Sequence, residues 1–150
     1  MTARTYEDFP PGKTFDLGTY YVSKDEIVDY ARVYDPQPFH LDEEAGRQSL
    51  LGGLAASGWH TISILMRMTY DAILFDTLSL GSPGVETLKW ARPVLAGDTL
   101  SARGEVLSAR PLKSRPGIGI ANFRFEMHNQ NGDLVLVQIT NLLVERREQS

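Results

Sequence analysis

The sequence predicts an α+β fold in which an antiparallel sheet packs around one long apolar helix. Residues 55–75 place apolar side chains on more than one face of a helix, as a central buried helix requires. From Val85 onward the apolar residues follow a period of two, which is typical of strands. An Asn-Gly pair at 131–132 signals a hairpin between the last two strands. With no internal repeat or low-complexity segment, we expect a single domain over residues 1–150.

The first elements are a strand and a helix. Residues 13–22 alternate well enough to form a strand after the Pro-Pro-Gly turn at 10–12. Ser23 and Glu26 form a capping-box pattern, in which the serine accepts a helix N–H and the glutamate reaches back. The helix that follows carries one apolar stripe: Ile27, Tyr30, Ala31 and Tyr34.

The segment 34–42 is predicted to be a stiff, bent loop. Pro36 and Pro38 make a continuous helix improbable, because proline lacks an N–H and disfavours helical geometry in the preceding residue. Such a loop can hold the carboxylate of Asp35 and the imidazole of His40 at a fixed separation, as paired acid/base chemistry requires.

A short acidic helix to about residue 48 and the central helix to about residue 75 come next. Ser57 is the expected cap of the central helix, which we expect to be buried on most sides. A Ser-, Gly- and Pro-rich loop at 77–84 leads to four strands and a polar tail at 146–150. The strands are marked by alternating residues: Leu88 and Trp90; Leu100, Ala102 and Val106; Ala121, Phe123, Phe125 and Met127; Leu134, Leu136, Leu142 and Val144.

Composition narrows the class of protein. The chain has 150 residues, 42% of them hydrophobic and 23% charged, which suits one core. The absence of cysteine excludes disulfides and thiolate metal sites, and the net charge of −4 argues against broad nucleic-acid binding. The N-terminus lacks the apolar core of a secretory signal, and polar residues interrupt the most apolar segment. We expect a cytoplasmic protein with no membrane or nucleic-acid partner.

Three motifs carry a resemblance to a known family. The spacing Asp35-x-x-Pro38-x-His40 resembles the signature of the MaoC-like dehydratases and (R)-specific enoyl-CoA hydratases. The stretches 56–59 (Ala-Ser-Gly-Trp) and 92–100 (Arg-Pro-Val-x-x-Gly-Asp-Thr-Leu) resemble the start of that family's central helix and its strand-turn-strand segment. The resemblance implies a hot-dog fold, an antiparallel sheet wrapped around a long central helix, and a homodimer or higher homo-oligomer.

The resemblance also implies roles for individual residues. Asp35 would be the principal base, and His40 its partner in activating a water and returning the proton. Gly58, near the start of the central helix, offers an N–H to the thioester oxygen, and its missing side chain would let the thioester approach. The tentative substrate-binding residues are Gln37, Phe39, Ser57 and Trp59. Gln37 replaces the usual Asn of the signature, and Phe39 replaces the usual Leu or Ile.

Structural explanations compete with these roles. Asp35 could be a turn residue and His40 a helix cap, while Gly58 could simply permit close packing. We expect His60 to be a hydrogen-bonded packing residue and His128 to be solvated or paired across strands. Trp90 and Tyr30 are expected to be core or interface aromatics. Three histidines without a clustered ligand pattern predict no metal site.

Basic residues concentrate near the turn at 111–117. The members of this group are Arg103, Arg110, Lys113 and Arg115. A solvated hairpin end is slightly favoured over contact with coenzyme A phosphates.

The predicted function is a hydro-lyase acting on an acyl thioester, most simply 2-enoyl-CoA and 3-hydroxyacyl-CoA. No cofactor beyond coenzyme A, carried by the substrate, is implied. The alternatives are a hot-dog thioesterase and a non-catalytic subunit that binds acyl thioesters.

Overall fold

The computed structural model describes residues 2–148. Its sheet has five antiparallel strands in the order β1-β3-β4-β5-β2. The strands are β1 (Thr14–Tyr21), β2 (Val85–Trp90), β3 (Thr99–Pro111), β4 (Ile118–His128) and β5 (Leu134–Glu145). The helices are α1 (Lys24–Tyr34), α2 (Glu43–Gln48) and α3 (Gly58–Ala72), with 3₁₀ turns at Tyr6–Asp8, Pro38–His40 and Leu74–Asp76.

The core lies between α3 and the inner face of the sheet. Every second residue of β4 is buried, because alternate side chains of a strand point to one face. Ile64 and Leu65 of α3 join Phe123 and Val106 of the sheet in one continuous apolar cluster. This arrangement of an antiparallel sheet around one long helix is the hot-dog fold, so the predicted fold class is confirmed.

One side of α3 is exposed, which corrects the expectation that this helix is buried on most sides. Met66 is 57% exposed and Tyr70 48% exposed in the single chain. The apolar residues of α3 cover more of its surface than one sheet can bury. The predicted helix also ends earlier, at Ala72, and a 3₁₀ turn covers Leu74–Asp76.

Two capping predictions are only half right. Ser23 accepts the N–H of Glu26, as the capping box requires. The Glu26 carboxylate does not reach back, because it is bound by the hydroxyl of Tyr20 and by His60. Ser57 occupies the cap position of α3, but its hydroxyl donates to Asp35 instead of accepting a helix N–H. An ionised carboxylate is the stronger partner for each of these donors.

The segment after β5 is tied down where the structure describes it. The guanidinium of Arg146 donates to the carbonyl of Pro116, and the N–H of Arg147 donates to Glu7. Gln149 and Ser150 of the predicted polar tail lie outside the described residues.

One member of the predicted basic concentration lies apart from the others. Arg103 lies in the middle of β3 and Arg110 near its end, roughly 23 Å away at the rise of an extended strand. Arg110, Lys113 and Arg115 are all exposed, so the choice between a solvated hairpin end and contact with coenzyme A phosphates stays a prediction. Within residues 2–148, no helix is long and apolar enough to cross a membrane.

Candidate active site

The loop between α1 and α2 brings Asp35 and His40 together. Asp35 is the C-cap of α1, and its N–H still donates to the carbonyl of Ala31. Pro38 then starts a 3₁₀ turn, which the N–H of His40 closes on the carbonyl of Gln37 at 3.0 Å. As a result, Nε2 of His40 lies 3.3 Å from Oδ2 of Asp35.

The other ring nitrogen of His40 fixes the tautomer. Nδ1 lies 2.6 Å from the carbonyl oxygen of Ala55. A carbonyl oxygen can only accept, so Nδ1 carries the proton of the neutral ring. Nε2 is then left with a lone pair that faces the carboxylate of Asp35, and the ring is held buried in this orientation.

Both oxygens of Asp35 accept hydrogen bonds from side chains. The hydroxyl of Ser57 donates to Oδ2 at 2.7 Å, and the amide of Gln37 donates to Oδ1 at 2.6 Å. Burial alone would raise the pKa of Asp35, but these two donors, together with the positive charge that His40 carries when its ring is protonated, outweigh burial and hold the pKa below its ordinary value. The hydrogen bonds therefore favour the ionised form of Asp35.

Gly58 begins α3 beside the pair, and its surroundings differ from the expectation. Its N–H belongs to the first turn, where a helix offers no acceptor of its own. However, a Cβ atom at this position would lie 2.7 Å from Cε2 of Trp90, and the indole N–H of Trp90 donates to the Gly58 carbonyl at 3.0 Å. The space that a side chain at position 58 would occupy is thus filled by Trp90, so the absence of a side chain here serves the packing of this ring.

These residues line one pocket with a volume of about 480 Å³. All four predicted substrate-binding residues are at its wall: Gln37, Phe39, Ser57 and Trp59. The Phe39 ring packs edge-on against the His40 ring at 4.6 Å, and Trp59 is 62% exposed. Gln37 and Ser57 direct their polar groups to Asp35, so their contact with substrate stays a prediction.

Trp90 is the pocket residue whose position the sequence did not reveal. The prediction that it lies in the core is wrong, because it is 45% exposed and lines the pocket, while the alternative that it lies in an interface stays a prediction. Its place two residues before the Arg92-Pro93 motif was the available signal.

The two other histidines lie outside this pocket. Nε2 of His60 is 2.8 Å from Glu26, and its ring stacks on Tyr30 at 4.5 Å, which confirms a hydrogen-bonded packing role. His128 is half-buried in β4, opposite Ser101 of β3. Over residues 2–148, no three or more His, Asp or Glu side chains are grouped to hold a metal ion.

The chain matches one protein-family model and is similar to solved structures. The family model described as MaoC like domain matches residues 8–119. The crystal structure of a MaoC-like dehydratase from Rhodospirillum rubrum is 40% identical, covers 97% of this chain and 99% of that chain, and has a TM-score of 0.89.

Two further matches extend over nearly the whole chain. An uncharacterized protein from Bacillus subtilis is 26% identical, over 93% of this chain and 98% of its own length. An (R)-hydratase from Pseudomonas aeruginosa superposes with a TM-score of 0.74 over 99% of this chain and 92% of that chain. Its identity is 20%, so this likeness concerns the fold alone.

Proposed function

The chain belongs to the MaoC-like domain family, and on that premise we propose that it adds water to, or removes it from, an acyl thioester. The substrate pair is a 2-enoyl-CoA and the corresponding 3-hydroxyacyl-CoA. The observation that carries the proposal is the 3.3 Å approach of Nε2 of His40 to Oδ2 of Asp35, with Nδ1 already committed to a carbonyl.

This geometry suits the activation of one water molecule. A water beside the pair can donate one hydrogen to Nε2 of His40 and the other to Asp35, since both present lone pairs. As the water oxygen bonds to C3 of the enoyl group, the water O–H bond to His40 breaks and Nε2 takes the proton. The carboxylate of Asp35 stabilises the resulting imidazolium, and Nε2 then delivers the proton to C2.

The hydrogen bonds at the pair refine the assignment of roles. Both oxygens of Asp35 already accept hydrogen bonds, from Ser57 and Gln37, which weakens the carboxylate as a proton acceptor, so we assign the proton to Nε2 of His40 and the orientation of the water to Asp35. Negative charge develops on the thioester oxygen during attack, and the N–H of Gly58 at the positive end of α3 is the proposed donor to it. The reaction needs no cofactor besides coenzyme A.

We further propose that the chain acts as a homodimer or higher homo-oligomer. Large apolar side chains of α3 and β2 are exposed in the single chain, among them Met66, Tyr70 and Val85. An apolar patch of this kind is common where a second copy packs.

The test is hydration of crotonyl-CoA, followed as loss of the conjugated enoyl-thioester absorbance. Wild-type protein should consume the substrate, while Asp35→Asn and His40→Ala should each lower kcat by at least about a hundredfold. Tyr21→Ala, at an exposed position of β1 outside the site, serves as the control and should keep the wild-type rate.

Two other outcomes would replace the hydro-lyase proposal with a different function. Release of free thiol from a saturated acyl-CoA would indicate a thioesterase. Binding of enoyl-CoAs without turnover of any of them would indicate a non-catalytic binding subunit.

A further inference from the structure

Ala55 holds the His40 ring through its backbone. Its carbonyl oxygen lies 2.6 Å from Nδ1 of His40, and its N–H donates to the carbonyl of Phe39 at 3.3 Å. In an extended segment that pairs on both sides, the backbone groups of successive residues point in opposite directions. The position of the Ala55 carbonyl is therefore set by what binds its two neighbours.

Those neighbours are bound by residues 94–98, which we call the 94–98 turn. The N–H of Ala56 donates to the Val94 carbonyl at 2.8 Å, and the N–H of Ala96 donates to the Leu54 carbonyl at 2.9 Å. This antiparallel pairing fixes the segment on the side away from the imidazole. The shape of the turn thus determines where the imidazole is held.

Asp98 closes the 94–98 turn with a side chain that is buried. Its Oδ2 accepts the N–H of Leu95 at 2.9 Å, and its Oδ1 accepts the side-chain amide of Gln130 at 3.0 Å. The amide oxygen of Gln130 accepts the N–H of Thr99 at 3.0 Å. The two side chains form one connected set of hydrogen bonds around the turn, in which the Asp98 carboxylate only accepts.

The same turn binds the residue before α1. The N–H of Gly97 donates to the Val22 carbonyl at 2.8 Å, and the N–H of Val22 donates to the Asp98 carbonyl at 2.9 Å. Val22 precedes the N-cap of α1, and α1 ends at Asp35. The turn therefore supports both members of the acid/base pair, although Asp98 is not among the residues that line the pocket.

We propose that Asp98 is a positioning residue, which holds the 94–98 turn in the shape that keeps the Ala55 carbonyl on Nδ1 of His40. The inference rests on the proposed role of His40 in proton transfer. A neutral imidazole donates from one nitrogen only, so a carbonyl at Nδ1 leaves the lone pair of Nε2 for the water. Without that carbonyl, the proton moves to Nε2, which then donates to Asp35 and no longer acts as a base.

Nitrogen NMR of histidine-labelled protein measures this tautomer without substrate. Spectra are recorded at about pH 8.5, above the ordinary pKa of histidine, and His40→Ala identifies the His40 signals among the three histidines. Wild type should carry the proton on Nδ1. Asp98→Asn replaces one acceptor oxygen by a donor, and Gln130→Ala removes the exposed partner. Each should shift the tautomer ratio toward Nε2–H by at least roughly fivefold, as loss of one hydrogen bond predicts.

Exchanging the acid and the amide separates positioning from general destabilisation. In the double variant Asp98→Asn with Gln130→Glu, the new amide donates to the new carboxylate, and their oxygens still accept the N–H groups of Leu95 and Thr99. The double variant should restore the wild-type tautomer.

Two controls should keep the wild-type tautomer. Val106→Ala destabilises the protein at a buried position of β3 outside the turn. Asp16→Asn makes the same acid-to-amide change at a carboxylate of β1 that accepts the N–H of Gly18.

In the crotonyl-CoA assay, Asp98→Asn should lower kcat about ten- to a hundredfold with little change in KM, because the base is misplaced while the pocket wall is intact. The proposal is overturned if wild type carries the proton on Nε2, if Gln130→Ala keeps the wild-type tautomer, if the double variant does not restore it, if Val106→Ala changes it equally, or if kcat is unaffected by its change. These criteria decide even where Asp98→Asn alone does not fold. A tautomer that depends on Asp98, without hydration of any enoyl-CoA, would support the positioning role and refute the hydro-lyase proposal.

Discussion

Ser57 controls the basicity of Asp35 through one hydrogen bond. Its hydroxyl donates to Oδ2 and stabilises the ionised carboxylate, so Ser57→Ala should raise the pKa of Asp35 from its lowered value. The titration of the Asp35 carboxyl group, followed by carboxyl-carbon NMR in wild type and Ser57→Ala, provides the measurement, and its midpoint should move to higher pH in the variant. Ser63→Ala, which changes an exposed serine of the same helix, should leave the midpoint in place.

Gly58 is required by its contact with Trp90. A Cβ at position 58 would meet the indole at 2.7 Å, and the ring cannot withdraw easily because its N–H is bound to the carbonyl of the same residue. We expect Gly58→Ala to reduce the free energy of unfolding by about 1–3 kcal/mol, measured by urea denaturation. Gly117→Ala is the matched control, because its Cβ would meet nothing within 4 Å. Equal free energies of unfolding of the two variants would show that the Trp90 ring moves away from position 58 without destabilising the protein.

At the scale of elements, Glu26 and His60 join α1 to α3. Glu26 accepts from Tyr20 at 2.5 Å and contacts His60 at 2.8 Å, which connects β1, α1 and the first turn of α3. Its hydrogen bond raises the pKa of Tyr20 to about 12. The same α1 ends at Asp35, and the same α3 begins at Gly58. This connection therefore sets the distance between the two halves of the candidate site.

The His60 ring makes this connection sensitive to acid. Burial lowers the pKa of His60 in the folded protein, and the positive charge of a protonated His40 adds to this effect. The hydrogen bond and the charge of Glu26 oppose the lowering but do not cancel it. The unfolded chain then binds a proton more readily than the folded one, so stability is fully present above about pH 6.5 and falls as the pH drops toward the folded pKa.

Urea midpoints of wild type at pH 7.5, 6.5 and 5.5 should fall accordingly. His60→Gln should show a smaller fall, whatever its stability at pH 7.5. His128→Gln, which replaces a half-buried histidine of β4, should keep the wild-type dependence. An unaltered pH dependence in His60→Gln would contradict the role of this histidine.

The elements themselves were predictable where one periodicity dominates. Alternation in β4 and the Asn-Gly turn before β5 depend on local sequence, and both are found as predicted. Side-chain partners that lie far apart in sequence were not predictable. The capping pattern at Ser23 could not show that Tyr20 and His60 would take the Glu26 carboxylate.

For the whole molecule, the difference between local patterns and contacts over long sequence separations explains which parts of the candidate site were predictable. Asp35 and His40 share a loop whose prolines fix their separation, and the structure brings them together. The contact of Ser57 with Asp35 spans 22 positions, and that of Trp90 with Gly58 spans 32. Such contacts depend on how α3 and β2 meet after folding, which no local pattern records.

The exposed apolar surface of α3 and β2 leads to a prediction about assembly. Among residues 2–148, β2 lies at the edge of the sheet, and no strand pairs with its outer side. Met66 and Val85 are at least half exposed in the single chain, and together they form an apolar surface. A second copy packed there would cover both features, so we expect a dimer at micromolar concentration in sedimentation velocity. Met66→Lys should weaken it, because a charge would be buried without a partner. Val33→Lys, at a comparably exposed position of α1, should not. A wild-type protein that sediments as a monomer would contradict the proposed homo-oligomer.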